Sequence, residues 1–341
     1  MTILSDYSLE ELYEMLDSLP RFRVKQIFDA ILQAKDFEET NLSKTLINEL
    51  KENYILKPVS IYKVYQSKDG TKKYLLKLND GNIVESVFLT QNYGNTICLS
   101  TQVGCRMGCK FCASTLNGLV RNLTAGEMLS IIACINADNG KCNERNFTNV
   151  VLMGSGEPLD NFDNVTTWIK LVTDENGFNV SERNISLSTC GLVDKIADLS
   201  KLNFNITLCI SLHATTDETR KTIMPIANRY TIDEIMKAVK DYQKLNDRRV
   251  IFEYSLIDGV NNTDEDIVRI KNLTKGIMCH FNVIGLNPNG GSLKATTKKQ
   301  TLEFVDKLNK AGISASLRRS QGEDIAGACG MLRISELKNK K

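Results

Sequence analysis

The chain has 341 residues, 42% of them hydrophobic and 25% charged, with five prolines and 21 glycines, a balance that excludes fibrous and disordered polypeptides and leaves a folded globular one. Lysine plus arginine total 43 against 41 acids, so a net charge of +2 gives no support to strong sequence-independent binding of nucleic acid. The charge is unevenly spread: seven bases face eleven acids over residues 1–57, whereas eleven face five over 292–341, so a basic C-terminal face is where phosphates are expected.

The opening MTILSDYS has no basic stretch leading into an apolar one, and no apolar run approaches the ~20 residues that span a bilayer, so a cytoplasmic protein without membrane contact is expected. Ten cysteines then read as reduced thiols, some of them metal ligands or catalysts.

From Ser8 to Tyr54 apolar residues recur at helical spacing: Leu9, Leu12, Met15 and Leu16, then, after a break at Pro20, Phe22, Ile27, Ile31 and Leu32. Residues 1–57 are expected to form an N-terminal helical module. Over 58–95 come three alternating runs, Ile61–Gln66, Lys73–Leu78 and Asn82–Leu89, and the intervening Asp69-Gly70 and Asp80-Gly81 predict a small β-meander. Alternation puts Glu85 on the same face as Ile83, Val87 and Leu89, where a carboxylate among apolar neighbours titrates high, unless a strand edge keeps its head in water.

Over 96–341 strand candidates alternate with helical stretches: TICLSTQ, TNVVLM, NISLST, NITLCISLH, RVIFEYSL, HFNVIGL and ISASLR. Between them lie amphipathic runs such as Ile232–Leu245, with Ile235, Val239 and Tyr242 on one face, and Thr263–Leu273, which opens on Thr-Asp-Glu-Asp. About six such units predict an α/β protein built on a partial (β/α) barrel, with its reactive residues in the loops after the strand C-termini.

After the first of these strands, Cys105-Arg-Met-Gly-Cys109-Lys-Phe-Cys112 places three thiolates within eight residues. Three ligands on a four-iron cluster leave one iron open to a chelating small molecule. The alternative is a four-thiolate zinc site with Cys98 as fourth ligand. Other strand ends carry Gly156, Glu157 and Pro158, then Ser188, then Ser211 and His213, then Asn287; glycine admits close approach and Glu157 suits a ligand's ammonium group, although each residue alone also reads as a loop cap or tight turn. Cys329, in Gly-Ala-Cys-Gly, sits where small residues let a base approach a thiol, or is inert packing.

The Cys-x3-Cys-x2-Cys loop, with an aromatic residue before its last cysteine, resembles the signature of radical S-adenosylmethionine (radical SAM) enzymes. GCRMGCKFC, GLVRNLT, MGSGEPLDN, ISLSTCG, ISLHA, MPIANRY and GEDIAGACGML resemble, in order, the ribosomal and transfer RNA adenine C2 methyltransferases of that group, and FRVKQIF resembles their N-terminal module. The resemblance covers essentially the whole chain. It implies one [4Fe-4S] cluster on Cys105, Cys109 and Cys112, and S-adenosylmethionine, two per turnover, held by Gly156, Glu157, Ser188, Ser211, His213 and Asn287.

It further implies that Cys329 is first methylated, that a 5′-deoxyadenosyl radical then removes a hydrogen from that methyl, and that the carbon radical adds to adenine C2 to form a covalent protein-RNA intermediate. Glu85 would take the C2 proton, and Cys98 would attack the Cys329 sulfur, leaving a Cys98–Cys329 disulfide for later reduction. A radical route suits the substrate, because electron-poor C2 offers a sulfonium methyl no nucleophile. The implied partners are 23S ribosomal RNA before full ribosome assembly, transfer RNA through an anticodon-loop adenine, and an electron donor such as flavodoxin or ferredoxin. An RNA-facing patch is expected at Arg21, Arg23 and Lys25.

The chain departs from the family pattern at Ser155, where Met is usual, at Ala326, where an acid is usual, and at Gly330-Met331, where Gly-Gln is usual. A sister group that methylates C8 of the same ribosomal adenine typically has Ala at the position of Pro158, which favours C2 here. Cys134, Cys142, Cys190, Cys209 and Cys279 match no functional position. Two other readings are a glycyl-radical activase, which has no need of Cys98, Glu85 or Cys329, and a zinc-stabilised RNA-binding protein.

Overall fold

The computed structural model describes residues 1–287 and 292–332, so the KNKK end of the basic stretch lies outside the described residues. The N-terminal segment begins with β1 (Thr2–Ile3), paired in parallel with β2 (Tyr54–Ile55), which ties the two ends of residues 1–57 together. Between them stand α1 (Leu9–Met15), α2 (Arg21–Leu32) and α3 (Lys44–Asn53). Ser8 starts α1 through a reciprocal cap with Glu11, and Pro20 is the residue before α2 rather than a kink within it. The buried face of α2 is Val24, Ile27, Phe28 and Ile31; Phe22, expected on that face, is 59% exposed beneath the Arg23 guanidinium, because at 3.6 residues per turn it lies nearly opposite that stripe.

The meander forms as β3 (Val59–Gln66), β4 (Lys72–Leu78) and β5 (Ile83–Leu89), with Gly70 and Gly81 at φ +89° and +87° in its turns. It is continuous with the rest of the sheet, since β5 pairs antiparallel with β6 (Thr96–Cys98). The expected single strand TICLSTQ divides: β6 joins the main sheet, while β7 (Gln102–Gly104) turns aside to pair with β8 (Leu119–Asn122) and brackets the cysteine loop with its own hairpin.

Parallel units follow: α4 (Ala125–Asp138), β9 (Asn149–Leu152), α5 (Phe162–Thr173), β10 (Ile185–Thr189), α6 (Val193–Ser200), β11 (Thr207–Ser211), α7 (Asp217–Ile223), α8 (Ile232–Leu245), β12 (Val250–Leu256), α9 (Asp264–Leu273), β13 (Cys279–Gly285), α10 (Lys298–Lys310) and β14 (Ala315–Arg318). Four of these helices begin at a threonine whose hydroxyl meets a Glu, Asp or Gln three residues on: Thr124, Thr231, Thr263 and Thr297. The ten strands lie in the order β14-β13-β12-β11-β10-β9-β6-β5-β4-β3, parallel from β14 to β6. The barrel is therefore partial, with β14 and β3 as its edges.

Side chains rather than a ladder bridge that gap. Asp69, in the β3–β4 turn, accepts from the Gly322 amide at 2.9 Å, and Ser67 donates to Asp324 at 2.5 Å. Twelve of the fourteen α4 residues are buried, a helix apolar on nearly every side, because the sheet covers one face and the N-terminal segment the other, where Ser5 donates to the Gly126 carbonyl at 3.0 Å. Among the described residues no helix is long and apolar enough to cross a membrane.

Candidate active site

The strand C-termini surround a cavity whose wall includes Cys105, Cys109, Cys112, Gly156, Glu157, Ser188, Ser211, His213, Asn287 and Cys329. Residues far apart in the chain thus meet in one space. The cysteine loop is held by backbone bonds at each stage: Cys105 donates to Gly118 at 3.0 Å, Lys110 to Ile223 at 2.9 Å and Ala113 to Gly330 at 2.7 Å. Gly104 is required at the first of these, because its φ is +78° and a Cβ there would lie 2.0 Å from the Gly118 oxygen. Burial raises all three thiols, Cys105 to about 12, with the neighbouring sulfurs adding to the effect on Cys109.

Glu157 is 4% exposed and accepts from the Leu159 amide at 3.0 Å and the Cys190 amide at 2.7 Å; burial pushes its pKa up. The His213 backbone is left-handed at φ +55°, and its Nδ1 accepts from the Ser255 amide at 2.9 Å, which places the proton of the neutral ring on Nε2. Burial, helped by the Arg220 charge, pushes His213 down to about 3, so the imidazole stays neutral. Ser188 donates to Glu253 at 2.9 Å and lies 3.5 Å from Ser211. Asn287, at the end of β13, uses its amide on the chain itself: Nδ2 donates to the Cys329 carbonyl at 2.9 Å, and Oδ1 accepts from Ser320 at 3.0 Å.

A second, larger space of about 1000 Å³ runs through the barrel interior and meets the first at Met153, Ile284, Asn287, Arg318 and Cys329. Cys98 lines this second space and not the first, and burial pushes it to about 12, with the Cys329 sulfur close enough to add to the rise. All ten cysteines are free, so the Cys98–Cys329 disulfide implied by the resemblance is not formed in this structure, although both residues line the second space. Glu85 lines neither space. It is 3% exposed on β5 with the Lys73 ammonium 3.3 Å away, so the purely apolar setting expected for it is corrected by a buried cation on the neighbouring strand. In the expected RNA patch, Arg21 faces Glu10 at 3.8 Å and Lys25 pairs with Asp29, so part of that charge is already met.

The radical SAM superfamily model matches residues 99–273. A probable dual-specificity RNA methyltransferase RlmN from Clostridium perfringens (strain 13 / Type A) is 50% identical over 98% of this chain and 97% of its own length. The corresponding protein of Lachnospira eligens is 48% identical over 98% and 96%. A crystal structure of a radical SAM methyltransferase from Sphaerobacter thermophilus superposes with a TM-score of 0.91 at 39% identity, covering 98% of this chain and 99% of that one. The chain belongs to the RlmN-type family of radical SAM enzymes.

Radical SAM chemistry requires a four-iron cluster and S-adenosylmethionine, and the residues present fit both. Three soft sulfur donors, Cys105, Cys109 and Cys112, line the cavity, the donor type that a four-iron cluster takes. Cys98 borders the second space and not the one that Cys105, Cys109 and Cys112 line, an arrangement that gives a four-thiolate zinc site no support. Gly330, at φ +78°, lets the Cys329 loop press on the cysteine loop, since a Cβ there would be 2.9 Å from the Phe111 oxygen.

Three residues at the site are not singled out by the sequence pattern. Glu253 and Arg318 form an ion pair at 2.5 Å in the cavity wall, and the nearby Cys329 sulfur, followed by the Glu253 carboxylate, pushes the Arg318 pKa up. Arg318 ends β14, so the strand-end rule is able to find it; Glu253 lies mid-strand and carries no such signal. Cys190, which matches no functional position of the family, adds a fifth thiol to the wall.

Proposed function

We propose that this protein methylates C2 of an adenine in 23S ribosomal RNA, and C2 of an anticodon-loop adenine in transfer RNA, through a methyl group carried on Cys329. The observation that supports this reading above others is the position of Cys329, which lies where the two spaces join, with Cys105, Cys109 and Cys112 across the first and Cys98 in the second. A glycyl-radical activase has no use for that pair. When bound, the cluster supplies the electron that cleaves S-adenosylmethionine, two molecules of which are used per turnover, and a flavodoxin or ferredoxin is the proposed donor.

The chain's own residues then divide the work. Glu157, with lone pairs left beyond its two backbone bonds, and the Ser188 and Ser211 hydroxyls present oxygen to the cofactor's ammonium and ribose groups, while neutral His213 packs against Phe111, their rings 4.6 Å apart. Asn287 holds the backbone of Cys329 in place. Arg318 borders both spaces alongside Cys329, and Glu253 holds its guanidinium in place. Glu85 takes the adenine proton once its contact with Lys73 opens, and Cys98 releases the product by attacking the Cys329 sulfur. The target base must be unstacked to reach the barrel interior, which favours a loop or an unassembled RNA.

The test is anaerobic purification with iron and sulfide analysis, then incubation with a synthetic 23S fragment, S-adenosylmethionine and a reductant. Mass spectrometry against 2-methyl- and 8-methyladenosine standards reads the product. Iron with 2-methyladenosine is the expected result; 8-methyladenosine moves the protein to C8 chemistry, and zinc without turnover removes the radical reading.

A further inference from the structure

Arg220 is 0% exposed, yet among the described residues it has no carboxylate within ion-pair distance. Its Nε donates to the Leu212 carbonyl at 3.1 Å, and its Nη2 to the carbonyls of Cys190 at 2.6 Å and Ser211 at 3.2 Å, while Nη1 is buried without a hydrogen-bond partner. Such a guanidinium is costly, because carbonyl dipoles do not neutralise a full charge. Burial accordingly pushes its pKa below the ordinary value.

Its surroundings indicate what offsets that cost. The helix carrying Arg220, α7, and the turn after it support the cysteine loop directly: Lys110 donates to the Ile223 carbonyl at 2.9 Å, and a Cβ on Gly108 would lie 3.2 Å from Pro225. The guanidinium is in electrostatic reach of Cys190 and Cys109 and, more weakly, of the Asp217 carboxylate on its own helix, which lies beyond ion-pair distance. Three thiolates and a four-iron core carry net negative charge, and one more on reduction.

We infer that Arg220 is the built-in counter-charge of the iron–sulfur cluster, a positioning residue whose fixed positive charge raises the reduction potential of the cluster. It touches neither S-adenosylmethionine nor RNA; it acts through the cysteine loop. The inference rests on the cluster assignment and is independent of which RNA is methylated.

The measurement is an EPR-monitored redox titration of the reconstituted full chain. Replacing Arg220 by Gln (Arg220→Gln) removes the charge, and the expected result is a cluster that loads with iron but whose ratio of reduced to oxidised form at a given solution potential falls by on the order of tenfold, which is ~59 mV for a one-electron couple. Arg220→Met is the second neutral variant, needing no hydrogen bonds of its own, should the glutamine form not fold. Arg220→Lys keeps the charge and is expected to recover most of the lost ratio. An iron-loaded Gln or Met variant with the wild-type potential overturns the inference, as does a Lys variant that falls as far as the neutral ones. A wild-type protein that carries zinc instead of a cluster defeats the cluster assignment itself, which is a different outcome from an unchanged potential.

Discussion

The loop carrying Cys105, Cys109 and Cys112 and the loop carrying Cys329 press against each other, yet they are held by different means. The first is closed by its own hairpin, β7 with β8, and by backbone hydrogen bonds to Gly118, Ile223 and Gly330. The second is fastened largely by side chains from distant parts of the chain: Asp69 on the Gly322 amide, Ser67 on Asp324 and Asn287 on the Cys329 carbonyl. A ladder of backbone bonds makes a rigid seat, which a metal centre needs. A few side-chain contacts leave a segment free to open at low cost, which suits a sulfur that must meet a cofactor, a base and Cys98 in turn.

Removing sulfur from the rigid loop is expected to have the largest effect. Cys109→Ala should abolish iron binding and RNA methylation together, read by metal analysis and mass spectrometry of the RNA. Cys329→Ala should separate the two properties: iron loading and reductive cleavage of S-adenosylmethionine persist while methylated adenosine drops to background. Retained methylation in that variant removes the carrier role.

Gly104→Ala attacks the seat rather than the ligands. A Cβ 2.0 Å from the Gly118 oxygen forces the hairpin apart, so iron content should fall well below one cluster per chain while the melting temperature drops by only a few degrees. Asn287→Ala removes the side chain beyond β13 that holds the Cys329 carbonyl, a hydrogen bond worth ~1 kcal/mol, and the methylation rate should fall about fivefold with iron content unchanged.

The smallest effect tests the buried wall. His213 titrates at about 3 in the folded protein against ~6.5 unfolded, so between those values the unfolded chain holds the extra proton. Its contribution to stability is complete above pH ~6.5 and is lost as pH falls toward 3, by up to ~1.4 kcal/mol per pH unit. His213→Asn, which tolerates the left-handed backbone and can still accept from Ser255, should flatten the dependence of urea midpoints between pH 6 and 5.

Much of the fold and of the site is legible in the amino-acid sequence, for local reasons. The Asp-Gly turns and the threonine caps act within a few residues, so the meander and the starts of α8 and α9 fall where the pattern places them. The division of TICLSTQ is not legible there, because whether Leu99–Thr101 continues a strand depends on β9 being available as a neighbour and on β8 recruiting β7 elsewhere. Phe22 departs from its expected burial for a different reason: five residues before Ile27, it does not share the face that Val24, Ile27 and Ile31 bury.

The sequence by itself determined which atoms the protein can use: three cysteines in eight residues, a Gly-Glu-Pro turn and a glycine-flanked thiol near the C-terminus, since covalent chemistry and close spacing need no fold to be recognised. Only the tertiary structure decided which of those atoms meet. It set Cys98 and Cys329 on the wall of one space, placed Lys73 on Glu85 and buried Arg220 on the helix that supports the cysteine loop, because burial and electrostatic coupling depend on distances in space that sequence separation does not carry.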